Sequence, residues 1–232
     1  MNGLKYISEN KLVNDFKRTY EKKDNGHFVF FEEIKTGWGK PDLIVINYDK
    51  GKLLDRIQNM ITHYPIPSFS NIAAYSMYFL SRVKKTTVDD LKNFLKIKSI
   101  NGLLASLEKR GLVYIYKNNK ISIKSKERIF YIKSIKIYEA KIRNWRRAIY
   151  QAQRHLWFTN DSYIIMPLFS QYTSKKVEFY CKKAGIGLIL QESKNSFRTV
   201  TKPPKNGLPG NSYMAWKLNE LLADKMAKSW KI

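Results

Sequence analysis

The spacing of hydrophobic residues along the chain predicts alternating helices and strands. Leu12 and Phe16 lie four residues apart behind a capping serine, which predicts an amphipathic helix over 8–22. Two runs rich in β-branched and aromatic residues follow at 27–35 and 41–47, separated by a turn with two glycines. We therefore expect one helix followed by two neighbouring strands.

The middle of the chain has a different pattern, which predicts three helices and a hairpin. A largely apolar helix is predicted over 72–83, and Thr86 or Thr87 is expected to cap a second helix. Ser99 is expected to cap a third, and two short alternating runs within 112–124 predict a β-hairpin. This piece resembles the winged helix-turn-helix family, and the resemblance implies a DNA-binding unit.

The last hundred residues again alternate between strands and helices. The pattern predicts strands at 131–142, 161–169 and 186–193, helices at 144–158 and 174–185, a long basic loop at 193–212 and a final amphipathic helix at 212–230. The predicted fold class is therefore α/β, with a mixed sheet flanked by helices. The winged unit, placed at 71–127, is expected to interrupt a core formed by 1–70 and 128–232.

The charge of the chain indicates its partners. Lys and Arg number 43 against 19 Asp and Glu, so the formal net charge is +24 and the field favours polyanions. No apolar run approaches the ~20 residues that span a bilayer, and no signal peptide is visible, so we expect a cytoplasmic protein without a membrane partner. The single cysteine, Cys181, leaves no internal disulfide.

Two short motifs nearly a hundred residues apart carry the candidate chemistry. One is Gly-Lys-Pro-Asp-Leu-Ile-Val-Ile at 39–46, and the other is Tyr-Glu-Ala-Lys-Ile at 138–142. In an extended strand Glu139 and Lys141 would share a face. A carboxylate from each motif, Asp42 and Glu139, could hold a hard divalent cation beside the ammonium, which suits phosphodiester cleavage. The structural alternatives are a turn-capping aspartate at 42 and a local ion pair at 139.

Both motifs and the order of the elements around them resemble the PD-(D/E)xK nuclease superfamily over roughly 8–47 and 131–191. The resemblance implies a restriction-endonuclease-like fold in which Asp42 and Glu139 bind Mg²⁺, with Mn²⁺ able to substitute. It implies that Lys141 orients the attacking water. It also implies an acid from the first helix, best matched by Glu9, and a glutamine on the helix after the third strand, Gln151.

The third acidic ligand is left open by the sequence. Glu32 and Glu33 lie at the end of the first predicted strand, next to the turn that leads to Asp42. We expect Glu33 to lie closer to Asp42 across the strand pair, so Glu9, Glu32 and Glu33 all stay candidates. His155 is taken as structural, because no Cys, Ser or acid stands at a convincing spacing from it.

Basic residues around both motifs are candidates for phosphate contacts, because one face of the helix after Lys141 is cationic. The candidate DNA-binding residues are Lys40, Arg143, Arg146, Arg147 and Arg154 near the motifs, Lys98, Asn101 and Lys117 in the winged unit, and Arg198, Lys202 and Lys205 in the late loop.

The sequence therefore predicts a Mg²⁺-dependent endonuclease acting on double-stranded DNA. We expect a sequence-specific enzyme of restriction type that works as a homodimer, because one chain carries one site. The sequence leaves a methyltransferase partner open. The alternatives are a structure-selective nuclease for branched or recombining DNA, a non-catalytic winged-helix regulator, and an RNA-processing nuclease.

Overall fold

The computed structural model describes residues 8–24, 26–61, 67–159, 161–204 and 211–229. In chain order the helices and strands are α1 (Glu9–Lys23), β1 (Phe28–Phe31), β2 (Leu43–Tyr48), α2 (Lys50–Ile61), α3 (Asn71–Val83), β3 (Lys85–Thr87), α4 (Val88–Leu95), α5 (Asn101–Lys109), β4 (Val113–Tyr116), β5 (Lys120–Ile123), α6 (Lys126–Ile129), β6 (Ile132–Ala140), α7 (Trp145–Gln153), β7 (Asp161–Pro167), α8 (Gln171–Lys183), β8 (Gly187–Ser193), β9 (Ser196–Thr201) and α9 (Tyr213–Ser229). The predicted α/β class is confirmed, with a mixed six-stranded sheet and a three-stranded sheet flanked by helices.

The chain divides into two compact units. The first unit comprises the described residues of Met1–Asn47 and Ser134–Leu208, and the second comprises those of Tyr48–Lys133 and Pro209–Ile232. In the described part of the chain, no helix has both the length and the apolar character that a bilayer span requires.

The six-stranded sheet of the first unit has the order β1-β2-β6-β7-β8-β9. Strands β6, β7 and β8 run parallel, and the outer pairs β1–β2 and β8–β9 are antiparallel. Strands β2 and β6 also run in opposite directions. At one end Asn47 Nδ2 donates to Ser134 Oγ over 3.0 Å, and at the other Ala140 N donates to Asp42 Oδ2 over 2.8 Å. The start of β2 therefore lies beside the end of β6.

Both faces of this sheet are covered by helices, because alternate side chains of each strand point to opposite faces. On β7, Ile165 packs with Leu12 and Phe16 of α1, whereas Ile164 and Met166 belong to a second cluster with residues of α7 and α8. All five side chains are buried, so the first unit has three layers with the sheet in the middle.

The predicted elements of the first unit are largely confirmed, with one correction. The helix over 8–22 is α1, and Ser8 Oγ accepts a hydrogen bond from Lys11 N over 3.2 Å as its cap. The long loop predicted over 193–212 is wrong for Ser196–Thr201, which form β9. This segment pairs with β8, and Phe197 enters the core of the α1 face. Lys205, in the same predicted loop, lies outside the described residues.

The second unit contains the three predicted helices, as α3, α4 and α5, and the predicted hairpin, as β4 and β5. The unpredicted β3 completes a three-stranded sheet through pairs such as Thr86 with Ile121. Thr87 is the residue that caps α4, and its Oγ1 accepts from the backbone of the helix. Ser99 does not cap α5, because the N-cap position is occupied by Ile100.

The boundaries of the second unit differ from the predicted 71–127. Helices α2 and α9 also belong to it, and a buried ion network links them to α5. Glu220 of α9 accepts hydrogen bonds from Arg56 Nη2 over 3.0 Å and from Arg110 Nε over 2.9 Å. The chain thus leaves the first unit at the last residue of β2 and returns within β6.

Candidate active site

Charged side chains from three elements meet at one end of the six-stranded sheet. Lys141 follows the last residue of β6, and its Nζ lies 2.7 Å from Glu9 Oε2 and 3.8 Å from Asp42 Oδ2. Glu9 is the first residue of α1, and Asp42 immediately precedes β2. The lysine side chain is 13% exposed, and the two carboxylates are 41% and 32% exposed. A small ligand can therefore reach the acids, while the ammonium lies deeper.

The backbone fixes this arrangement. Because β2 and β6 are antiparallel, the residue before β2 lies next to the residues that end β6. Asp42 Oδ2 accepts the hydrogen bond of Ala140 N, and Lys141 N donates to Ile165 O of β7 over 3.0 Å. The capped start of α1 presents Glu9, since acids are favoured in the first turn of a helix. The predicted partners Asp42 and Lys141 are thus brought together.

Glu139 lies on the opposite side of β6 from Tyr138 and Ala140, which pack toward α1. Its Oε1 accepts a hydrogen bond from His155 Nε2 over 2.8 Å, and both side chains are only 2% exposed. Its other oxygen, Oε2, is buried and has no hydrogen-bond partner among the described residues. A buried carboxylate oxygen without a donor is costly unless a ligand completes it.

The surroundings raise the pKa of Glu139 above its ordinary value. Burial is the largest cause, because it disfavours the charged carboxylate. The hydrogen bond from His155 opposes the rise, the negative charge of Asp42 adds to it, and the positive charge of Lys141 lowers it. Glu139 is therefore close enough to Asp42 and Lys141 for their charges to act on it.

His155 is the residue of this site that the sequence analysis missed, since it was taken as structural. A signal was present in the helix spacing. Ala148 and Ala152 occupy the buried face of α7, and a residue three positions after Ala152 falls on the same face. His155 thus points toward the sheet, on the side where Glu139 is the single acid between Arg128 and Asn160.

The other predicted acids lie elsewhere. Glu33 follows β1 with a φ of 53°, and its side chain is 82% exposed and 4.0 Å from Lys40 Nζ. Glu32 forms an ion pair with Lys17. The preference for Glu33 as third acid is therefore corrected, because β1 ends at Phe31 and the chain turns before Glu33 can follow the strand alternation. Glu9 is the third acid that reaches the cluster.

Gln151 lies on α7 and is half-buried. Its Oε1 is buried and accepts no hydrogen bond from any described residue. Gln151 thus lies on the helix where it was predicted. Its amide forms no hydrogen bond with Asp42 or Glu139 in the described part of the chain.

A divalent cation fits part of this site. In the portion of the chain that the structure describes, no group of three or more His, Cys, Asp or Glu is arranged to hold a metal ion. The donors proposed for it are two carboxylates, Asp42 and Glu139, and Oε2 of Glu139 has no hydrogen-bond partner among the described residues. Mg²⁺ typically takes one or two carboxylates and keeps several waters, so this donor set suits it.

Comparisons with known proteins do not assign the chain to a family. The chain was compared with protein-family models, with curated proteins and with solved structures, and nothing matched in any of the three. The chemistry is therefore inferred from three carboxylates and one ammonium at the end of a sheet.

The predicted DNA-binding residues occupy surfaces of both units. In the first unit Arg146 and Arg147 are exposed on α7, and Arg154 ends that helix beside the ring of Tyr150. Arg198 lies on β9, 2.5 Å from Glu192. The remaining described candidates are all exposed: Lys40, Arg143 and Lys202 in the first unit, and Lys98, Asn101 and Lys117 in the second.

Proposed function

We propose that the first unit is the catalytic core of a Mg²⁺-dependent DNA endonuclease. The observation that carries the proposal is the convergence of Glu9, Asp42 and Lys141 from three elements beside the buried Glu139. Such a surplus of acids around one lysine is expensive for a fold to maintain without a ligand, because like charges at close range repel.

Each residue has a role that its position suggests. Asp42 and Glu139 would hold Mg²⁺, which would polarise the scissile phosphate and lower the pKa of a bound water. Lys141 would orient that water and offset the negative charge that develops on the phosphate. Glu9 holds the ammonium of Lys141 in place, and His155 fixes the orientation of the Glu139 carboxylate through its hydrogen bond.

The proposed substrate follows from the charge of the chain. A net charge of +24 supplies an attractive field for nucleic acid. The exposed Arg146 and Arg147 lie on α7, the helix after the strand that carries Glu139 and leads into Lys141. In this proposal they would contact phosphates on either side of the bond that is cut.

The order of elements also favours membership of the PD-(D/E)xK superfamily. Helix α1, the antiparallel strands β1, β2 and β6, helix α7 and the parallel strand β7 follow in the order that the resemblance implies. Asp42 immediately precedes the second strand of that series and Glu139 stands on the third, which supports the resemblance.

The second unit would supply the choice of sequence. Three helices, α3, α4 and α5, accompany an antiparallel sheet of order β3-β5-β4, which supports a winged-helix DNA-binding role. A separate reading unit favours a restriction-type enzyme. Since one chain has one site, a two-fold homodimer on a palindromic sequence would cut both strands.

Incubation with plasmid and phage DNA tests the proposal, with Mg²⁺ in one series and EDTA in the other. Asp42→Ala is the test variant and Asp49→Ala the matched control, because these aspartates flank the two ends of β2. We expect discrete fragments that require Mg²⁺ and Asp42 but not Asp49. DNA that is bound and left intact, with branched substrates included, would contradict the nuclease and favour a winged-helix regulator.

The nearest competing function is a structure-selective nuclease. Cutting of branched DNA, with linear duplexes left intact, would replace the restriction-type proposal and keep the same site. Cutting of RNA alone would move the proposal to an RNA-processing enzyme.

A further inference from the structure

The first unit contains a cavity of about 580 Å³ that the proposed active site does not use. It lies on the α1 face of the sheet. Glu9 begins α1, whereas Tyr20 and Lys23, which line the cavity, stand near the end of that helix. Eleven residues separate Glu9 from Tyr20, which is roughly 17 Å along a helix. The volume suits one small molecule and is too small for a duplex.

The inner wall of the cavity is aromatic. Phe16, Tyr138 and Phe197 are buried there, and Tyr20 and Tyr163 are half-buried. The Tyr138 and Tyr163 rings are stacked, with centroids 5.2 Å apart and planes at 21°. Aromatic rings are the groups on which nucleobases stack, without regard to base identity.

Gly187 shows that the wall is shaped around the Tyr163 ring. The two residues face each other across β7 and β8. A Cβ at Gly187 would lie 2.1 Å from Tyr163 Cδ1 and 2.4 Å from Cε1, so any larger residue would displace the ring. The absence of a side chain at this position thus leaves the space that Tyr163 occupies.

The rim of the cavity is cationic. Lys23 and Lys202 are exposed at the cavity, and the half-buried Lys136 donates to Tyr20 Oη over 3.2 Å. Among the described residues none of these three lysines forms an ion pair, and one acid, Asp24, lines the cavity. Burial, and after it the negative charge of Asp161, raises the pKa of Tyr163 to about 12, so the wall residue itself carries no charge at neutral pH.

We propose that this cavity binds a single nucleotide, with its base against the Tyr138–Tyr163 wall and its phosphate at Lys23, Lys136 and Lys202. An aromatic interior alone would suit any apolar ligand, and a lysine rim alone would suit any anion. The two together select an aromatic group that carries a phosphate. Two sources share this chemistry: a free mononucleotide, and an unpaired base still attached to a DNA strand.

Calorimetric titration of the full chain tests the site, using dAMP, deoxyadenosine and inorganic phosphate as probes. The titrations are made on Asp42→Ala in EDTA, so the outcome is independent of cleavage. We expect saturable binding of dAMP, with deoxyadenosine and phosphate each about tenfold weaker. Tyr163→Leu should weaken dAMP about tenfold, whereas Tyr163→Phe, which keeps the ring, should not.

The lysine rim is tested by Lys136→Gln, a half-buried position where loss of the fold is not expected. Lys133→Gln is its control, since Lys133 lies on the same strand and is 63% exposed. dAMP binding should fall several-fold in the first variant and stay unchanged in the second. Binding of phosphate as tight as that of dAMP, or binding unchanged in both Tyr163→Leu and Lys136→Gln, would overturn the site.

A second experiment distinguishes a free mononucleotide from an unpaired base within DNA as the ligand. Affinity is compared for a labelled duplex with one unpaired adenine and for the fully paired duplex. Tighter binding of the unpaired duplex that disappears in Tyr163→Leu, without binding of free dAMP, would assign the cavity to bases within DNA. No binding of dAMP and no preference for the unpaired duplex would refute the proposal, whatever the cleavage assays show.

Discussion

Two clusters of charged side chains, one in each unit, differ in how completely their charges are balanced. In the second unit both oxygens of Glu220 accept hydrogen bonds, Oε2 from Arg56 and Arg110 and Oε1 from Asn219. Arg110 also pairs with Asp224 over 2.7 Å. Two arginines thus balance two acids, and the side chains of Arg56, Arg110 and Glu220 are at most 3% exposed.

The cluster in the first unit is neither balanced nor closed. Glu9 and Asp42 share one ammonium, that of Lys141, and the buried Glu139 pairs with His155. One oxygen of Glu139 has no partner among the described residues. In the second unit Arg56 Nε is also buried without a hydrogen-bond partner among the described residues, so the two clusters differ in charge balance more than in hydrogen bonding. We assign the balanced network to stability, and we propose that the acid-rich cluster of the first unit holds a ligand.

The largest expected effect is a loss of DNA cleavage when the acid-rich cluster of the first unit is changed. Asp42→Asn removes one of two proposed metal-binding carboxylates, so DNA cleavage should fall on the order of 1,000-fold. The melting temperature should change little, because this side chain is 32% exposed. Asp49→Asn, at the other end of β2, should keep full activity in the same assay.

The second effect is a loss of stability, with cleavage retained, when the buried network of the second unit is changed. Arg110→Met breaks the buried network while leaving Asp224 without its arginine, and we expect a loss of about 3–5 kcal/mol in the free energy of unfolding. Urea denaturation measures it. Cleavage below the unfolding transition should persist. Arg128→Met, an exposed arginine of the same unit, serves as the control, and a loss as large there would contradict the assignment.

The third effect is a lower cleavage rate when the ammonium of Lys141 is removed. Lys141→Met removes the charge that is proposed to stabilise the reacting phosphate, so the cleavage rate should fall about 100-fold. Lys133→Met changes a lysine near the start of β6, the strand that Lys141 follows, and should leave the rate unaltered. Equal rates for the two variants would show that Lys141 serves only to pair with Glu9.

The smallest effect is on stability and depends on pH. Because burial raises the pKa of Glu139, the folded chain retains this proton to higher pH than the unfolded chain does. The stability contributed by the protonated carboxyl is fully present below the ordinary pKa of 4.5 and is lost as pH rises through the raised value. The glutamine of Glu139→Gln cannot ionise, so the stability of this variant relative to the unchanged protein should increase with pH.

Urea unfolding without metal, at about pH 5 and about pH 8, measures this difference in stability. A difference that does not vary with pH would contradict it.

Local patterns of the sequence predicted most of the first unit, because its helices and strands have strong periodicity and its motif residues stand next to strand ends. Asp42 and Lys141 were found for that reason, whereas Glu9 was implied by the resemblance to the nuclease superfamily. Glu33 was not correctly placed, since the end of β1 and a left-handed residue are properties of the folded backbone. Strand β9 was missed because its alternation, with Phe197 inward, lies within a basic and polar stretch.

Long-range pairing explains the remaining differences. The three residues of β3 form a strand only because β5 lies beside them. Helices α2 and α9 join the second unit through contacts between distant parts of the chain, such as that of Arg56 with Glu220, which are 164 positions apart. The contact between His155 and Glu139 likewise needs the helix to be docked on the sheet. Helix spacing places His155 on the buried face of α7, but it does not identify Glu139 as its partner.

The most direct test compares DNA cleavage by the unchanged protein and by Glu139→Gln over a range of Mg²⁺ concentrations, on plasmid, phage and branched DNA. The substitution keeps the size and the hydrogen bond to His155 and is expected to stabilise the fold, so a loss of cleavage could not be attributed to unfolding. We predict saturable, Mg²⁺-dependent cleavage by the unchanged protein and none by the variant. Cleavage at equal rates, or cleavage in EDTA, would contradict the assignment of this cluster as a metal-dependent active site.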